Sequence, residues 1–351
     1  MRGDAAKPTE KDARDALKYL DDTLLEEFPF VGNIDRSVAL SLILTALDRR
    51  SMATAPLHGF TSPVAGTGKG LLVDIASILA AGDTAAVTSL GKSEEELEKR
   101  LGAALIAGDQ IITLDNCDRE VDSAFLCQAL TQRRAKIRLL GFSRQIDTPM
   151  MALFCATGNN LVLANDLTRR TLLCRLDAEV ERPELRSFKR DVLETAHSER
   201  GKLVTAALTI LRTWHMAKTA IGVEPLGSFE DWSFRIRQPL LWLNRTDPCE
   251  SIASVRDNDP NRATLIAVLE QWKRCLGVIS RYSVQQIITR AIPDMDFFNA
   301  LMAVAADKAG GLSNARLGRW LSKNEGKIVG KHRLVNTGLS AGYPLGQMIE
   351  T

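Results

Sequence analysis

The segment SPVAGTGKGLL, residues 62–72, combines glycines and a lysine in the manner of a phosphate-binding loop. In such loops the glycines let backbone N–H groups converge on phosphate oxygens, and the lysine contacts the β- and γ-phosphates. Gly66, Gly68 and Lys69 supply both parts. We therefore predict that a nucleotide binds at Gly66, Thr67, Gly68, Lys69 and Gly70.

The match to the strict G-x-x-x-x-G-K-[ST] pattern is partial. Pro63 stands at the first glycine, and Gly70 replaces the Ser or Thr that would ligate Mg²⁺. Taken alone, these letters fit a plain turn equally well. The context favours the phosphate loop, because residues 57–61 predict a short strand and residues 71–81 an apolar helix.

Further polar residues follow the apolar strands along the chain. The strand QIITLDN places Asp115 at its end, where an acid would hold Mg²⁺ through water. A later strand ends in ATGNN, and Asn159 or Asn160 would lie beside Asp115 because neighbouring parallel strands end at one crevice. An amide there can orient an attacking water, although Gly-Asn-Asn also suits a turn.

Two arginines, Arg169 and Arg170, immediately precede the last apolar strand. An arginine that projects from one subunit can stabilise charge on a γ-phosphate held by a neighbour. The alternative is an ordinary surface salt bridge.

These motifs require elements that hold them in place. Short apolar segments alternate with helical patterns, which indicates a parallel sheet covered by helices. The strands are predicted at 57–61, 85–90, 110–115, 150–157 and 170–177. Helices are predicted at 202–220, 229–243 and 263–276, with a break at 247–261, and near 283–292, 297–309 and 313–323, before a final hairpin. We expect four segments: N-terminal helices at 1–50, an ATPase core at 51–180, a helical lid or linker at 181–279 and a winged-helix-like domain at 280–351.

Several stretches together resemble one protein family. SPVAGTGKGLL, IITLDNCDREVDS, LFCATGNNLVLANDLTRR and PLGSFEDWSFRIRQPLLWL are similar to the ATPase portion of phage and mobile-element primase-helicases, AAA+ proteins akin to superfamily III helicases. The resemblance implies an α/β AAA+ P-loop fold that uses ATP and Mg²⁺. It implies that Lys69 is the Walker A lysine, Asp115 the Walker B acid, Asn159 sensor 1, and Arg169 or Arg170 the arginine finger.

Two departures from the family pattern bear on hydrolysis. Gly70 removes a direct Mg²⁺ ligand, and Asn116 stands where many AAA+ proteins have a catalytic Glu. Relatives of this type often carry Asp-Asn here, so Gly70 is the more serious change. Water can replace the lost hydroxyl, because Mg²⁺ usually keeps several waters. We therefore expect ATP binding to survive better than turnover, with Asp118 or Glu120 as possible bases.

Two basic segments are candidates for contacting DNA. The stretch RAKIRLLGFSRQIDT predicts a hairpin around Gly141, and the resemblance implies that it projects into the channel of a ring. A hairpin that only packs on the sheet is the alternative. In the tail, Ser313 can cap a helix whose apolar stripe is Leu317, Trp320 and Leu321. The predicted DNA contacts are Arg133, Arg134, Lys136, Arg138, Arg144, Arg316, Arg319 and Lys323.

Composition restricts the class of protein. The 351 residues carry a net charge of +2 and are 45% hydrophobic and 25% charged, as in ordinary globular proteins. No apolar run reaches the ~18 residues that span a bilayer, so we expect a cytoplasmic protein with no membrane partner. The six cysteines form no C-x-x-C pair and are expected to be buried reduced thiols, which disfavours a zinc site.

Together these patterns predict a hexameric AAA+ ATPase that couples ATP hydrolysis to unwinding of, translocation on or loading onto single-stranded or forked DNA, with a primase as a possible partner. The alternative is a hydrolytically weak, ATP-binding assembly factor or loader that binds DNA. A small-molecule kinase is disfavoured by the helical, winged tail.

Overall fold

The computed structural model describes residues 7–138, 144–186, 189–217, 219, 221–340 and 343–350. The chain divides into two compact units, Met1–Arg256 and Asp257–Thr351. Each unit has its own hydrophobic core.

The first unit is built on a five-stranded, all-parallel sheet. In chain order its strands are β1 (Leu57–Ser62), β2 (Ala86–Thr88), β3 (Ile111–Leu114), β6 (Leu153–Asn159) and β7 (Thr171–Arg175), and their spatial order is β2-β3-β6-β1-β7. Between β3 and β6 the chain forms a separate antiparallel hairpin of β4 (Arg134–Arg138) and β5 (Gln145–Pro149). The predicted parallel α/β sheet is confirmed. Its central strands β1 and β3 are buried along almost their whole length, as expected for a parallel sheet with helices on both faces.

Ten helices of this unit lie within the described residues. They are α1 (Glu10–Leu20), α2 (Asn33–Asp48), α3 (Lys69–Ala81), α4 (Glu94–Ala107), α5 (Ala124–Thr131), α6 (Val192–Ser198), α7 (Arg200–Ala217), α8 (Glu230–Trp232), α9 (Gln238–Trp242) and α10 (Ser251–Asp257). Side-chain caps fix several starts: Thr9 forms a capping box at α1, and Ser93 and Ser123 accept from backbone N–H groups at α4 and α5.

Two helical predictions need correction. The segment expected to break the pattern at 247–261 contains α10, which buries Ile252 and Val255. The helix expected at 229–243 is interrupted by a π-helical turn, Ser233–Arg237, between α8 and α9. Trp232, the last residue of α8, and Ile236, within the turn, are both buried and hold this irregular segment against the core.

The hairpin of β4 and β5 has two different faces. Ala135 and Ile137 point inward, and the Ile137 side chain lies so close to Gly102 of α4 that a Cβ there would be 2.7 Å from its Cγ2. The alternating residues Arg134, Lys136 and Arg138 are exposed. The predicted turn around Gly141 lies outside the described residues.

The second unit contains α11 (Pro260–Leu276), α12 (Val284–Ala291), α13 (Met295–Ala305) and α14 (Asn314–Asn324). Its antiparallel sheet has the order β8-β11-β10-β9, with β8 (Arg281–Ser283), β9 (Ile328–Val329), β10 (His332–Ser340) and β11 (Tyr343–Glu350). Trp272, Phe297 and Leu317 are fully buried between these elements. The helices α12, α13 and α14 precede the hairpin of β10 and β11 in the order that the sequence predicted, whereas β8 and β9 were not predicted. The winged-helix-like identity of this unit stays a prediction.

Candidate nucleotide site

The loop between β1 and α3 has the backbone of a phosphate loop. Gly66 and Gly68 adopt φ angles of 78° and 95°, which favour glycine, and Gly68 caps α3 without any side-chain bond. The helix begins at Lys69, so its first N–H groups are free of side-chain caps and face the loop. Such an N-terminus attracts an anion.

Lys69 joins this loop to a distant strand. Its Nζ donates to Asn159 Oδ1 at 2.9 Å and to Val64 O at 3.2 Å, and it also contacts Ser62 Oγ. Ser62 and Asn159 are register partners because β1 pairs with β6, which explains how residues 90 positions apart meet. Partial burial lowers the pKa of the Lys69 ammonium, and the charge of Asp115 opposes that shift.

Asp115 follows β3, the neighbour of β6 on the other side. Its Oδ1 accepts a hydrogen bond of 2.5 Å from Thr157 Oγ1, and the same hydroxyl oxygen accepts the Asn116 N–H at 3.1 Å. Asn116 has a φ of 49°, so the chain turns sharply after the acid. Thr157 was not predicted as a site residue. It stands two positions before Asn159, and a threonine in a strand gives no signal beyond its β propensity.

The structure separates the two asparagines considered for the third strand end. Asn159 contacts Lys69, whereas Asn160 adopts a φ of 50° and donates its backbone N–H to Ser62 O at 2.9 Å. Asn160 thus makes the turn and Asn159 faces the loop. Asp118 and Glu120, the possible bases, are exposed beyond β3.

These residues fit a magnesium nucleotide. At Gly70 a Cβ would meet nothing within 4 Å, so open space lies where a serine or threonine would carry its hydroxyl. The Thr67 Oγ1 is buried and has no partner among the described residues. Backbone N–H groups of the loop and Lys69 would hold the phosphates, and Asp115 would hold Mg²⁺ through water.

Two residues that sequence reasoning missed pack directly on the loop. A Cβ built on Gly66 would lie 2.9 Å from the backbone N of Glu184, and one built on Gly68 would lie 2.9 Å from the Phe28 ring. Both are far from the loop in sequence and belong to segments without a chemical signature. Larger residues at Gly66 and Gly68 are therefore excluded by sterics as well as by φ.

Arg169 and Arg170 lie at the opposite edge of the sheet. The Arg170 carbonyl accepts the Leu57 N–H at 2.9 Å, at the start of β1, while the phosphate loop follows its end. The length of β1, about 17 Å, separates these edges. The Arg170 side chain is 12% exposed and donates to Cys127 O at 2.7 Å, whereas Arg169 is 47% exposed.

The predicted DNA contacts lie on surfaces of both units. Arg133, Lys136, Arg138 and Arg144 are exposed, and Arg134 is exposed but forms an ion pair of 2.9 Å with Asp147 across the hairpin. In the second unit Ser313 caps α14 and Leu317 is buried, as predicted. Arg316, Arg319 and Lys323 are all exposed on that helix.

The cysteines are reduced. Cys117, Cys155 and Cys174 are buried, whereas Cys127, Cys249 and Cys275 are only half-buried, which corrects the expectation that most are buried. Burial raises the pKa of the Cys117 thiol to about 12. Within the described ranges no group of three or more His, Cys, Asp or Glu side chains could hold a metal ion, and no helix is long and apolar enough to cross a bilayer.

Comparison with known proteins gives weak structural likenesses. No protein-family model and no curated protein matches the chain. It is similar to an apo structure of the NrS-1 C-terminal region at 11% identity, with a TM-score of 0.48, over 98% of this chain and 76% of that one. It is similar to the SCCmec type IV Cch active helicase at 14% identity and a TM-score of 0.36, over 99% and 71% of the two chains.

A third similar structure is the JCV helicase, at 14% identity and a TM-score of 0.29, over 72% of this chain and 73% of that one. Two of these three structures are helicases by name. With every TM-score below 0.5, the function is inferred from the site rather than from these likenesses.

Proposed function

We propose that this chain is a ring-forming AAA+ ATPase, a hexamer, that couples ATP hydrolysis to unwinding, translocation on or loading onto single-stranded or forked DNA. The motif resemblance suggests replication of a phage or mobile element as its setting, with a primase as a possible partner. The ATPase core is assigned to 51–180 and the winged-helix-like domain to 280–351.

One observation carries the proposal. Lys69, Asp115 and Asn159 meet at the carboxyl edge of the sheet, while Arg169 is exposed at the amino edge of the same sheet. About 17 Å of strand keeps Arg169 from the phosphate loop of its own subunit. A second copy, placed edge to edge, would bring the two halves together.

Each site residue has a defined task in this proposal. Lys69 and the loop would hold the β- and γ-phosphates, and Asp115, which accepts a hydrogen bond from Thr157, would hold Mg²⁺ through water. Asn159 orients the attacking water. Arg169 of one subunit stabilises the charge that develops on the γ-phosphate bound by the next.

We propose Arg169 rather than Arg170 as the finger, because the Arg170 guanidinium donates to Cys127 O on α5 as well as pairing with Asp166. The exposed residues Lys136, Arg138 and Arg144 are proposed to contact DNA phosphates because they are basic and solvent-accessible, with Asp147 opposite Lys136 as the acid of this hairpin face. Arg134 is expected to contribute less to DNA binding because its guanidinium already forms an ion pair with Asp147.

The second candidate function is an assembly factor that binds ATP but scarcely hydrolyses it. Gly70 favours it, because the open space beside Gly70 contains no hydroxyl to ligate Mg²⁺. Steady-state ATPase assays with and without single-stranded DNA separate the two functions. The motor should turn over ATP at ~1 s⁻¹ or faster on DNA.

Mixing variants tests the ring itself. Lys69→Ala and Arg169→Ala should each be inactive alone, and a mixture should regain turnover at interfaces that pair an intact loop with an intact arginine. ATP binding without hydrolysis above background, with DNA and at ring-forming concentrations, would favour the assembly factor. A mixture that recovers nothing would contradict the shared site.

A further inference from the structure

The carboxylate of Asp166 binds both arginines of the proposed finger segment. Its Oδ1 lies 2.5 Å from Arg169 Nε, and its Oδ2 lies 2.5 Å from Arg170 Nη2. All three residues belong to the 3₁₀ turn Asn165–Arg169 or to the residue that follows it. One acid is thus shared between an exposed arginine, Arg169, and a largely covered one, Arg170.

Arg170 fixes one side of this carboxylate. Its Nη1 donates to Cys127 O at 2.7 Å and to Thr131 Oγ1 at 3.5 Å, both on α5. The turn is attached to the preceding segment at a second point, because Asn165 Nδ2 donates to Asp122 Oδ2 at 2.6 Å. Asp166 is therefore supported by rigid elements on one side and faces Arg169 on the other.

Asp166 binds Arg169 through Nε and not through the terminal Nη groups. The contact is made by Nε, and among the residues that the structure describes the two Nη groups of Arg169 have no protein partner. A guanidinium binds a phosphate through donors on one edge of its planar fork. Anchoring at Nε restricts the side chain while its terminal donors stay available.

We propose that Asp166 is a positioning residue that orients Arg169 toward the nucleotide of a neighbouring subunit, with Arg170 as its anchor on α5. The inference rests on the proposed shared site. An ordinary surface ion pair would contribute little to activity, because exposed pairs are weak. If Asp166 positions Arg169, its substitution should impair hydrolysis at the ATP site of the neighbouring subunit. The ATP site of the substituted subunit itself should stay intact.

The test uses Asp166→Asn, which keeps the shape of the side chain and removes its charge. We expect kcat for DNA-stimulated hydrolysis to fall about ten-fold or more while KM for ATP changes less than about two-fold, because the subunit's own loop is intact. Asp166→Glu, which restores the carboxylate, should recover most of the activity. Thermal unfolding midpoints of both variants report whether the turn is still folded.

Pairwise mixing locates the defect. Asp166→Asn mixed with Lys69→Ala should regain turnover, because the second variant donates an intact finger to the intact loop of the first. Asp166→Asn mixed with Arg169→Ala should regain none, because both lack a working finger. The opposite pattern would place the defect in the variant's own ATP site and overturn the inference, as would an unchanged or raised kcat.

The pair Lys69→Ala with Arg169→Ala contains no Asp166 variant and reports on the proposed function separately. If that pair fails to recover turnover, the shared site is wrong and this inference falls with it. If that pair recovers and Asp166→Asn behaves like wild type, only the positioning role is wrong.

Discussion

Charged side chains at the two edges of the parallel sheet have different hydrogen-bond partners. At the carboxyl edge, Lys69 donates to Asn159, and Asp115 accepts a hydrogen bond from Thr157 on the neighbouring strand. At the amino edge, the guanidinium groups of Arg49 and Arg170 donate hydrogen bonds to backbone carbonyls. Arg49 is 3% exposed and donates to Ala152, Met52 and Met150.

This difference supports the role proposed for the exposed Arg169. An arginine that stabilises a fold is buried with its donors satisfied, as Arg49 is, and burial lowers the Arg49 pKa to about 10. Arg169 precedes Arg170 in the chain, yet 47% of its side chain is exposed. In the proposed function, the carboxyl edge holds the phosphates and the amino edge supplies the arginine finger to a neighbouring subunit.

The largest expected effect comes from the amino edge. Arg169→Ala should lower kcat about a thousand-fold, because an arginine finger contributes that much to phosphoryl transfer, while ATP affinity stays near wild type. Single-turnover and calorimetric measurements separate the two quantities.

Arg170→Ala is the matched control for that experiment. It should lower the thermal midpoint, because Cys127 O loses its buried donor, which Arg169→Ala leaves in place. Equal losses of kcat without any loss of stability in the two variants would contradict the distinction between a finger and an anchor.

At the carboxyl edge, we expect a substitution to impair ATP binding. Lys69→Ala should weaken ATP binding about a hundred-fold, since backbone N–H groups cannot replace an ammonium at the β- and γ-phosphates. Calorimetric titration measures the change, with Lys99→Ala on the exposed face of α4 as control. Unchanged affinity in Lys69→Ala would remove the nucleotide from this loop.

A smaller effect is expected at Gly70. Gly70→Ser should raise kcat several-fold with little change in ATP affinity, because its hydroxyl would enter the open space and ligate Mg²⁺. Gly70→Ala adds the Cβ alone and separates coordination from helix propensity. If serine and alanine raise kcat equally, helix propensity explains the gain. If neither changes kcat, water already fills the ligand position.

The sequence predicted the carboxyl edge better than the amino edge for a physical reason. Strand ends are visible as apolar runs that stop at Asp115 and Asn159, and parallel pairing then requires them to be neighbours. The role of Thr157 could not be predicted, because its hydroxyl acts across strands while its residue type suits any strand. The contacts of Phe28 and Glu184 with the loop depend on tertiary packing alone.

The neighbouring arginines show a second limit. Arg169 and Arg170 are the same residue type in adjacent positions, so neither composition nor periodicity separates them. Their difference depends on Cys127 O, a backbone atom of α5 whose distance from Arg170 is set by the fold. The irregular turn Ser233–Arg237 was missed for a similar reason, since its sequence is compatible with a regular helix.

The smallest predicted effect concerns His58, in β1 between the two edges. It is fully buried with Nε2 3.0 Å from Ser41 Oγ, and burial lowers its pKa from 6.5 to about 3. The unfolded chain therefore binds a proton below about pH 6.5 that the folded chain does not, so stability is complete above that pH and falls as the pH drops toward 3. Between pH 7 and pH 5.5, wild type should lose about 1 kcal/mol more unfolding free energy than His58→Gln, which does not titrate. Denaturant unfolding at the two pH values measures this difference, and the contributions of the histidines that both proteins share cancel.

Because His58 contacts neither set of functional residues, kcat at pH 7.5 should be the same in both proteins. A lower kcat in His58→Gln at unchanged stability would link the centre of the sheet to the nucleotide edge.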